Sequence, residues 1–335
     1  MKHNFFIAEN FDVKHMKRKH FTGLVLLTVI LYMLFSCTKI VNIELPTTKP
    51  KPVVFSLIEN KHTVKLYFNN SYNILDYVDS NHLYSDKADI KCYLNGQYQE
   101  NLYYKEGYFY TLNTSPNPGD TIAVIVSPEN GQQQLFAETV IPSKISIDTI
   151  VFTDSVFHDQ DETYYSSIQL SFNDPAGRKN FYEIYIRAKC LCDETVEYES
   201  VMGYHSDDPV ITSEGIITPF GSTGNADFYD TEPVSVIFSD SLFSGENVLL
   251  NIAFMRPCEY VTGQYQPCKF ALSVYLSNVT KEYYLYRKTL YKHLISQESN
   301  LWSGYVEPIQ MYSNIKGGLG VFAGYTCDSA TVNPN

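Results

Sequence analysis

The chain has 335 residues, room for two domains of ordinary size, and it carries 37 acidic and 25 basic residues. The resulting formal charge of −12 argues against partners that are held by positive charge, namely nucleic acids and anionic lipid surfaces. Aromatic residues make up 15% of the chain, with 28 tyrosines and one tryptophan. Tyrosine favours strands, so β structure explains most of this excess. A sugar-binding platform would use the same residues, although no tryptophan cluster accompanies them.

Residues 17–37 have the pattern of a lipoprotein signal peptide. A basic cluster, Lys17 to His20, precedes the apolar run Phe21 to Phe35. This run is shorter than the roughly 20 residues of a membrane span and suits a signal peptide. The small residue Ser36 then stands before Cys37, which resembles the lipobox of bacterial lipoproteins, where the cysteine is acylated and becomes the first residue. The alternative is an ordinary secretory signal that contains a cysteine by chance.

The predicted signal peptide covers residues 1–36, and Met16 is the expected start because Glu9 and Asp12 are unusual before the basic cluster. Its removal leaves 20 basic and 35 acidic residues. Attachment to a membrane then depends on acyl chains at Cys37, which contribute about 0.8 kcal/mol per buried methylene, and a stable anchor needs more than one chain. We therefore expect a fatty-acyl anchor of the palmitate type at this cysteine.

Six further cysteines follow, and outside the cytoplasm an even number can pair in many ways. One disulfide is suggested by position, since Cys258 and Cys268 flank a turn-rich loop between two strand-like runs. Cys190 and Cys192 stand two residues apart in a strand pattern and so share a face without bonding to each other. No C-x-x-C repeat or histidine pair accompanies any of them, and no metal site is predicted.

Residues 37–52 are predicted to form a tether, because their prolines are typical of semi-rigid spacers. From residue 53 to 143, short runs rich in Val, Ile, Tyr and Phe alternate with turn residues, which predicts an Ig-like antiparallel sandwich without the antibody Cys-Trp-Cys pattern. Asn95-Gly96 and Pro116 to Gly119 are the tight-turn signals. The runs are VVFSLIE, HTVKLYF, ADIKCYL, GYFYTL, DTIAVIVS and QQLFAETVIP.

Pro142 to Lys144 is the predicted boundary, and residues 144–335 are predicted to form a second, larger antiparallel β domain. Its runs are ISIDTIVFTD, YYSSIQLSFND, NFYEIYIRAKCLC, PVSVIFSD, NVLLNIAFM and KFALSVYLS. Between residues 194 and 232 the chain is polar, acidic and rich in glycine. Such an insertion is either a functional loop or flexible surface, and the sequence leaves both open.

One helix is predicted over residues 280–296, with Thr280 as its cap and an apolar stripe at helical spacing that packs on the sheet. The stripe consists of Tyr283, Tyr286, Leu290 and Leu294. In the tail, Ile309 to Tyr312 and Gly320 to Tyr325 are predicted strands around a glycine-rich turn. This turn does not fit the phosphate-binding G-x-G-x-x-G pattern.

Few residues in the sequence have the pattern of a catalytic or metal-binding site. The oxygen-rich clusters His158 to Glu162 and His205 to Asp208 could bind calcium, but they lack the glycine and the terminal glutamate of an EF-hand loop. We interpret both as exposed turns. None of the histidines forms H-E-x-x-H or accompanies a G-x-S-x-G serine. The sequence therefore indicates no catalytic residue, no metal and no cofactor.

The segments PVVFSL, YLSNVTKEYYLYRKTL and EPIQMYSNIKGGLGVFAGY, together with the lipobox, resemble one family across the whole mature chain. It is an uncharacterised group of Bacteroidota outer-membrane lipoproteins, domain of unknown function 4249. The resemblance implies a setting beside TonB-dependent outer-membrane receptors, and a helper role in nutrient capture or envelope assembly. It implies no reaction and no catalytic residue.

Three functions follow as hypotheses. The first is a non-enzymatic accessory lipoprotein, bound to outer-membrane lipid through Cys37 and docked on a β-barrel receptor or its cargo. The second is a secreted hydrolase of glycans or peptides, since 35 acidic residues in the mature chain leave room for a catalytic pair. The third is a structural or adhesive envelope protein. We expect the first, with the periplasmic or cell-surface face left open because one acid alone follows Cys37 up to Glu44.

Overall fold

A computed structural model describes most of the chain after residue 48. The described residues are 49–72, 85, 87–129, 131–158, 164–193, 196–201, 204–206, 208–213, 235–255, 258–261, 264–267, 269–297 and 309–333. Residues 49–335 form one compact unit. The signal peptide and most of the tether lie outside the described residues.

The described part of the chain is mainly β. Its first eight strands are β1 Pro52–Glu59, β2 Lys65–Asn70, β3 Ala88–Leu94, β4 Gln97–Asn101, β5 Tyr103–Lys105, β6 Tyr108–Tyr110, β7 Thr121–Pro128 and β8 Leu135–Val140. Eleven more are β9 Ile147–His158, β10 Tyr164–Asn173, β11 Phe181–Asp193, β12 Val196–Val201, β13 Tyr204–His205, β14 Val236–Ser239, β15 Asn247–Met255, β16 Cys258–Val261, β17 Gln264–Pro267, β18 Lys269–Val279 and β19 Leu319–Val332. Two α-helices, α1 Pro209–Thr212 and α2 Lys281–Gln297, and a 3-10 turn at Asp240–Leu242 complete the described elements.

The N-terminal strands form a sandwich of two sheets. Strands β1, β2, β6 and β5 face the sheet β4-β3-β7-β8. Alternate residues of β1 are buried, as expected of a strand with one face on a core. Asn95 and Gly96 both have positive φ and join β3 to β4, which is the type I′ hairpin that this dipeptide predicts. Mainly β architecture with an N-terminal antiparallel sandwich is confirmed.

A second sandwich follows, with its own core. Strands β11 and β18, with β14 and β12 end to end along the outer edge of β11, face the sheet β13-β15-β10-β9. Phe172, Tyr182 and Phe243 pack ring against ring at one end of this core. The hydroxyl of Tyr182 donates a hydrogen bond to the buried carboxylate of Asp174, so the polar atom of the ring is satisfied inside the core.

Strand β19 joins the two sandwiches into one continuous sheet. Its residues 319–325 pair in parallel with β1, and residues 325–332 pair antiparallel with β18. Phe322 enters the core of the first sandwich, while Val321 and Ala323 point to the opposite face of the sheet. The predicted boundary at residue 143 stays a prediction, but the last strand serves both sandwiches.

The connection between the sandwiches is held against β18 and β19. The carbonyl of Ser143 accepts hydrogen bonds from Asn278 at 2.8 Å and from Thr326 at 3.1 Å. Lys144 forms an ion pair with Asp328 at 2.8 Å, and the same carboxylate accepts the backbone N–H of Ile147. These contacts fix the connection instead of leaving it as a hinge.

Helix α2 covers the face of the continuous sheet that lies opposite the two sandwich cores. Thr280 caps it, since its carbonyl accepts the N–H of Tyr284 at 3.0 Å and its hydroxyl faces the N–H of Tyr283. The predicted stripe is confirmed, because Tyr283 and Tyr286 are buried and Leu290 packs in the same cluster. The side chain of Leu294 lies outside the description.

The segment predicted as a strand over Ile309–Tyr312 is irregular instead. Its backbone groups bond to helix α2, since the N–H of Tyr312 donates to the hydroxyl of Thr289 at 2.8 Å and the imidazole of His293 contacts the carbonyl of Ile309 at 3.2 Å. Met311 and Tyr312 then pack against the helix. Local strand propensity yields here to this tertiary contact.

The polar interval after residue 193 contains more regular structure than its composition indicates. Strands β12 and β13 and helix α1 lie within it, and residues 214–234 lie outside the described part. The loop between Cys258 and Cys268 also contains strands, because β16 and β17 pair as a hairpin with Cys258 opposite Pro267.

Glycine 320 marks the tightest approach between β19 and β1. Its φ is +109°, and a Cβ at this position would lie 1.9 Å from the carbonyl oxygen of Val54. We expect Gly320→Ala to lower the free energy of unfolding by about 3 kcal/mol or more, because backbone must move and the parallel pairing must loosen. Denaturant titration measures the loss.

Gly96→Ala is the matched control. This glycine also has a positive φ, +77°, but a Cβ there meets nothing within 4 Å. The control should therefore lose only about 1 kcal/mol. Equal losses at both positions would show that the backbone conformation, and not the contact with Val54, requires glycine at residue 320.

Candidate functional site

Most residues singled out from the sequence fall outside the description. Cys37, the predicted lipid attachment site, lies outside it, as do residues 159–162 and Asp207 of the oxygen-rich clusters. Cys258 is described only as part of β16, and Cys268 lies outside the described residues, so the predicted disulfide stays a prediction. Cys92 and Cys327 are free thiols in the structure.

Two general findings hold for the described residues. No group of three or more His, Cys, Asp or Glu side chains among them is arranged to hold a metal ion. Within the same residues, neither helix combines the length and apolar character of a membrane-spanning segment.

A buried charged network lies beneath helix α2. Arg287 approaches Glu183 at 3.2 Å, and their side chains are only 11% and 6% exposed. Ser235 donates to one oxygen of this carboxylate at 2.6 Å, and Tyr283 donates to the other at 2.5 Å. Burial, together with the negative charge of Glu183, raises the pKa of Tyr283 well above its ordinary value.

The network contains residue types that also occur in catalytic sites, but its contacts hold helix α2 on the sheet. Both carboxylate oxygens accept hydrogen bonds, and Arg287 also donates to Ser235 at 3.0 Å. The group joins β11, the residue before β14, and α2, three elements that meet only in the folded chain. A satisfied and buried ion pair of this kind specifies how elements dock.

A second aromatic cluster lies farther along the same face of the sheet. Tyr185 and Tyr275 stack across β11 and β18 with centroids 4.4 Å apart and ring planes within 7°. The guanidinium of Arg187 lies 5.8 Å and 5.9 Å from the two ring centroids. All three side chains are half-buried. They extend the aromatic packing that begins under α2.

A further group of aromatic side chains lies at the other end of the continuous sheet, on strands β2, β6 and β5. Leu66, Phe68 and Phe109 of these strands point into the core, so their neighbours in the strands point outward. The outward residues are Lys65, Tyr67, Tyr103, Lys105, Tyr108 and Tyr110, which we call the tyrosine platform.

The rings of the tyrosine platform form a connected row. Tyr67 and Tyr108 have centroids 6.1 Å apart, Tyr108 and Tyr110 6.4 Å, and Tyr110 and Tyr103 5.8 Å. The ammonium of Lys65 lies 3.8 Å from the ring centroid of Tyr108, a cation–π distance. The platform thus combines aromatic faces with positive charge on an acidic protein.

The row continues inward to helix α2. Phe55, on the strand next to β2, lies opposite Tyr67 in the β1–β2 register and meets Tyr286 edge to face at 5.5 Å. The inner end of the row is therefore packed under the helix, while its outer end reaches β5, the last strand of the sheet path. The exposed outer rings are therefore connected through the sheet to rings that are packed under the helix.

Glu100 fixes the chain where it leaves β6. Its two carboxylate oxygens accept the backbone N–H groups of Leu112, Asn113 and Thr114 at 2.7 to 3.0 Å and the hydroxyl of Thr114 at 2.6 Å. The hydroxyl of Thr111 accepts a hydrogen bond from the N–H of Val64, just before β2. Strands β2 and β6, which carry three of the platform tyrosines, are held together at this end.

The charge of Glu100 is stabilised by these donors. Burial alone would raise the pKa of this carboxyl, but the hydrogen bonds from the hydroxyl of Thr114 and from the three backbone N–H groups together lower it below its ordinary value. Burial, with a contribution from the same charge, raises the pKa of the Cys92 thiol to about 12, so this cysteine stays protonated and behaves as a core residue.

The chain matches one known family over most of its length. The model of one family, described as Domain of unknown function (DUF4249), matches residues 38–331. The chain belongs to this family. The match begins directly after Cys37 and includes both sandwiches, helix α2 and β19 up to its last residues. No curated protein matches the chain.

The tyrosine platform was not identified from the sequence, although a local signal exists. In the stretch Tyr103 to Tyr110, residues 103, 105, 108 and 110 are Tyr, Lys, Tyr and Tyr. They share one face once Glu106 and Gly107, both with positive φ, close the hairpin. Only the register with β2 adds Lys65 and Tyr67 to that face.

We expect Arg287→Met to lower the free energy of unfolding by about 3 kcal/mol, because it leaves the carboxylate of Glu183 buried without its cation. Urea titration of the variant measures the change. Lys292→Met on the exposed side of the same helix is the matched control and should change stability by less than about 0.5 kcal/mol. Equal effects would contradict a role for the ion pair in holding α2.

Acid should weaken the clamp of Glu100 on the loop after β6. Because its folded pKa is lowered, its contribution to stability is complete above the unfolded value, about 4.3, and is lost as the pH falls through the folded value. We expect Glu100→Gln to be less stable than the parent at pH 7 and to lose less stability between about pH 5 and pH 3.

Urea midpoints over this pH range provide the measurement. Glu106→Gln is the control, since the Glu106 side chain is 81% exposed and its carboxylate lies 3.9 Å from the exposed ammonium of Lys105. It should keep the acid profile of the parent. A Glu100→Gln profile parallel to the parent profile would show that another carboxyl governs the acid loss.

Proposed function

We propose that this protein is a non-enzymatic lipoprotein, anchored in the outer membrane through acylated Cys37, and that it assists a TonB-dependent receptor in nutrient capture or envelope assembly. Its partners in this role are membrane lipid, through the acyl chains, and a β-barrel receptor. The part of the chain after the tether is then a body that presents binding surfaces at the envelope.

The observation that carries the proposal is the order of the chain around Cys37. A basic cluster, an apolar run and Ser36 precede the cysteine, and a proline-containing spacer leads from it to Pro52, where β1 begins. At about 3.1 Å per residue in an extended proline-rich spacer, this distance spans up to roughly 45 Å. Such a spacer keeps the body near the membrane while allowing it to reach a partner.

The tyrosine platform supports a binding role for the body. It lies on β2, β6 and β5, in the sheet that also contains β1, so the first strand after the predicted tether belongs to the same sheet as the platform. Tyrosine supplies large contact area with little loss of conformational entropy, and it is enriched at recognition surfaces. Positive charge on the platform would also direct approach of a negatively charged partner to this face.

The first test of the proposal concerns the anchor. Metabolic labelling with a palmitate analogue should mark the parent protein and Cys327→Ser but leave Cys37→Ser unmarked, because only the first cysteine of a mature lipoprotein is acylated. Cys327 is a suitable control, since it is a partly exposed free thiol within the body. Label that persists in Cys37→Ser would contradict the assigned anchor.

The second measurement concerns the receptor. The protein should copurify from solubilised outer membranes with a TonB-dependent β-barrel at a near-constant ratio, and Cys37→Ser should lose this association together with its membrane fraction. A parent protein found in the inner membrane, or purified without any β-barrel partner, would overturn the proposed role.

A further inference from the structure

The tyrosine platform has the chemistry of a saccharide site for anions. We propose that it binds an acidic polysaccharide, a chain of pyranose units that carry carboxylates, with sugar faces on the rings of Tyr103 and Tyr110 and carboxylates near Lys65 and Lys105. This inference deepens the proposed function by naming a class of cargo, and it rests on that function for its biological setting.

The two outer rings of the platform are spaced like the consecutive units of a polysaccharide. Tyr103 and Tyr110 stand side by side on β5 and β6, with centroids 5.8 Å apart and ring planes inclined by 34°. This separation is close to the advance of one sugar unit along an extended polysaccharide, so consecutive units can each meet a ring. Tyr103 is 39% exposed, which leaves ring surface available to the apolar face of a pyranose.

The platform also carries the positive charges of two lysines, Lys65 and Lys105. Lys65 lies opposite Tyr110 in the register of β2 and β6, and Lys105 lies opposite Tyr108 in the register of β5 and β6. In this register one lysine lies on each side of β6, the strand that carries Tyr108 and Tyr110. Lys105 approaches Glu106 at 3.9 Å, but both side chains are more than half exposed, so the contact is screened and leaves the ammonium available.

The distribution of charge favours an acidic glycan over a neutral one as the ligand. The chain carries a formal charge of −12, so its general field repels anions and an anionic ligand needs a local positive site. The platform supplies such a site, with two cations on one face of short strands. A neutral glycan would use the rings but would gain nothing from the lysines.

The structure also argues for a site that is ready to bind. The Glu100 clamp fixes the chain beyond Tyr110, and Lys65 is held against the ring of Tyr108. Side chains that are already positioned lose less conformational entropy when a ligand binds. Polysaccharide binding by this surface should therefore depend on these side chains and not on refolding of the strands.

The test uses the full lipidated protein in detergent and polygalacturonate as the probe, with dextran as the uncharged control polymer. Affinity electrophoresis and calorimetry should detect binding of polygalacturonate that weakens with added salt, and little binding of dextran. Tyr103→Ala combined with Tyr110→Ala should weaken binding about tenfold or more, whereas replacing both by Phe should retain it, because the ring face is kept.

Two further variants separate charge from stacking. Lys65→Gln should weaken binding of polygalacturonate several-fold and make the remainder less sensitive to salt. Tyr98→Ala is the matched control, since Tyr98 is 53% exposed but lies on β4 in the opposite sheet, and it should bind as the parent does. Thermal unfolding of each variant confirms that it is folded before its affinity is compared.

The outcomes distinguish this inference from the proposed function. No binding of polygalacturonate, equal binding of dextran, or binding unchanged by the platform variants would overturn the saccharide site, even if the receptor still copurifies. Binding that follows the platform variants would support the site even if no receptor copurifies, and in that case only the proposed function would fall.

Discussion

The parallel pairing of β1 with β19 is the constraint on which the rest of the structure depends. It joins residues 53–59 to residues 319–325, so nearly the whole described chain lies in the loop that it closes. Closing such a loop lowers the conformational entropy of the chain before the stabilising contacts of the sheet have formed. The first sandwich therefore obtains Phe322 for its core only from the end of the chain. Tether, platform and last strand are linked through one strand, β1.

Sequence periodicity predicted the elements whose cause is local. The stripe of helix α2, the alternation of β1 and the Asn95-Gly96 turn each depend on neighbours within a few residues, and the structure contains all three. The place of β19 depends on two distant partners. Gly320 begins the stretch that the sequence predicts as a strand, but the requirement for glycine at this position comes from the carbonyl of Val54, which lies against it. No local pattern contains that information.

The sequence does not predict the tyrosine platform, for a related reason. A composition of 28 tyrosines is compatible with many buried rings, as under α2, and with a few exposed ones. Which tyrosines face outward follows from strand parity, but which of them lie side by side follows from register. The pairing of Lys65 with Tyr110 across β2 and β6 brings residues 45 positions apart onto one surface. Neither the tyrosine content nor the hairpin alone predicts it.

The same strand order determines how firmly the first strand is held in the sheet. Strand β1 has partners on both sides, β2 antiparallel and β19 parallel, and the tether leads straight into its first residue. Strand β1 therefore cannot leave the sheet without breaking a row of hydrogen bonds on each of its two sides. An N-terminal edge strand would lack one of these rows. Because β2 carries the first residues of the tyrosine platform, β1 is also the strand next to that surface. The close contact at Gly320 and the Glu183–Arg287 pair under α2 therefore hold in place the sheet from which the platform is built.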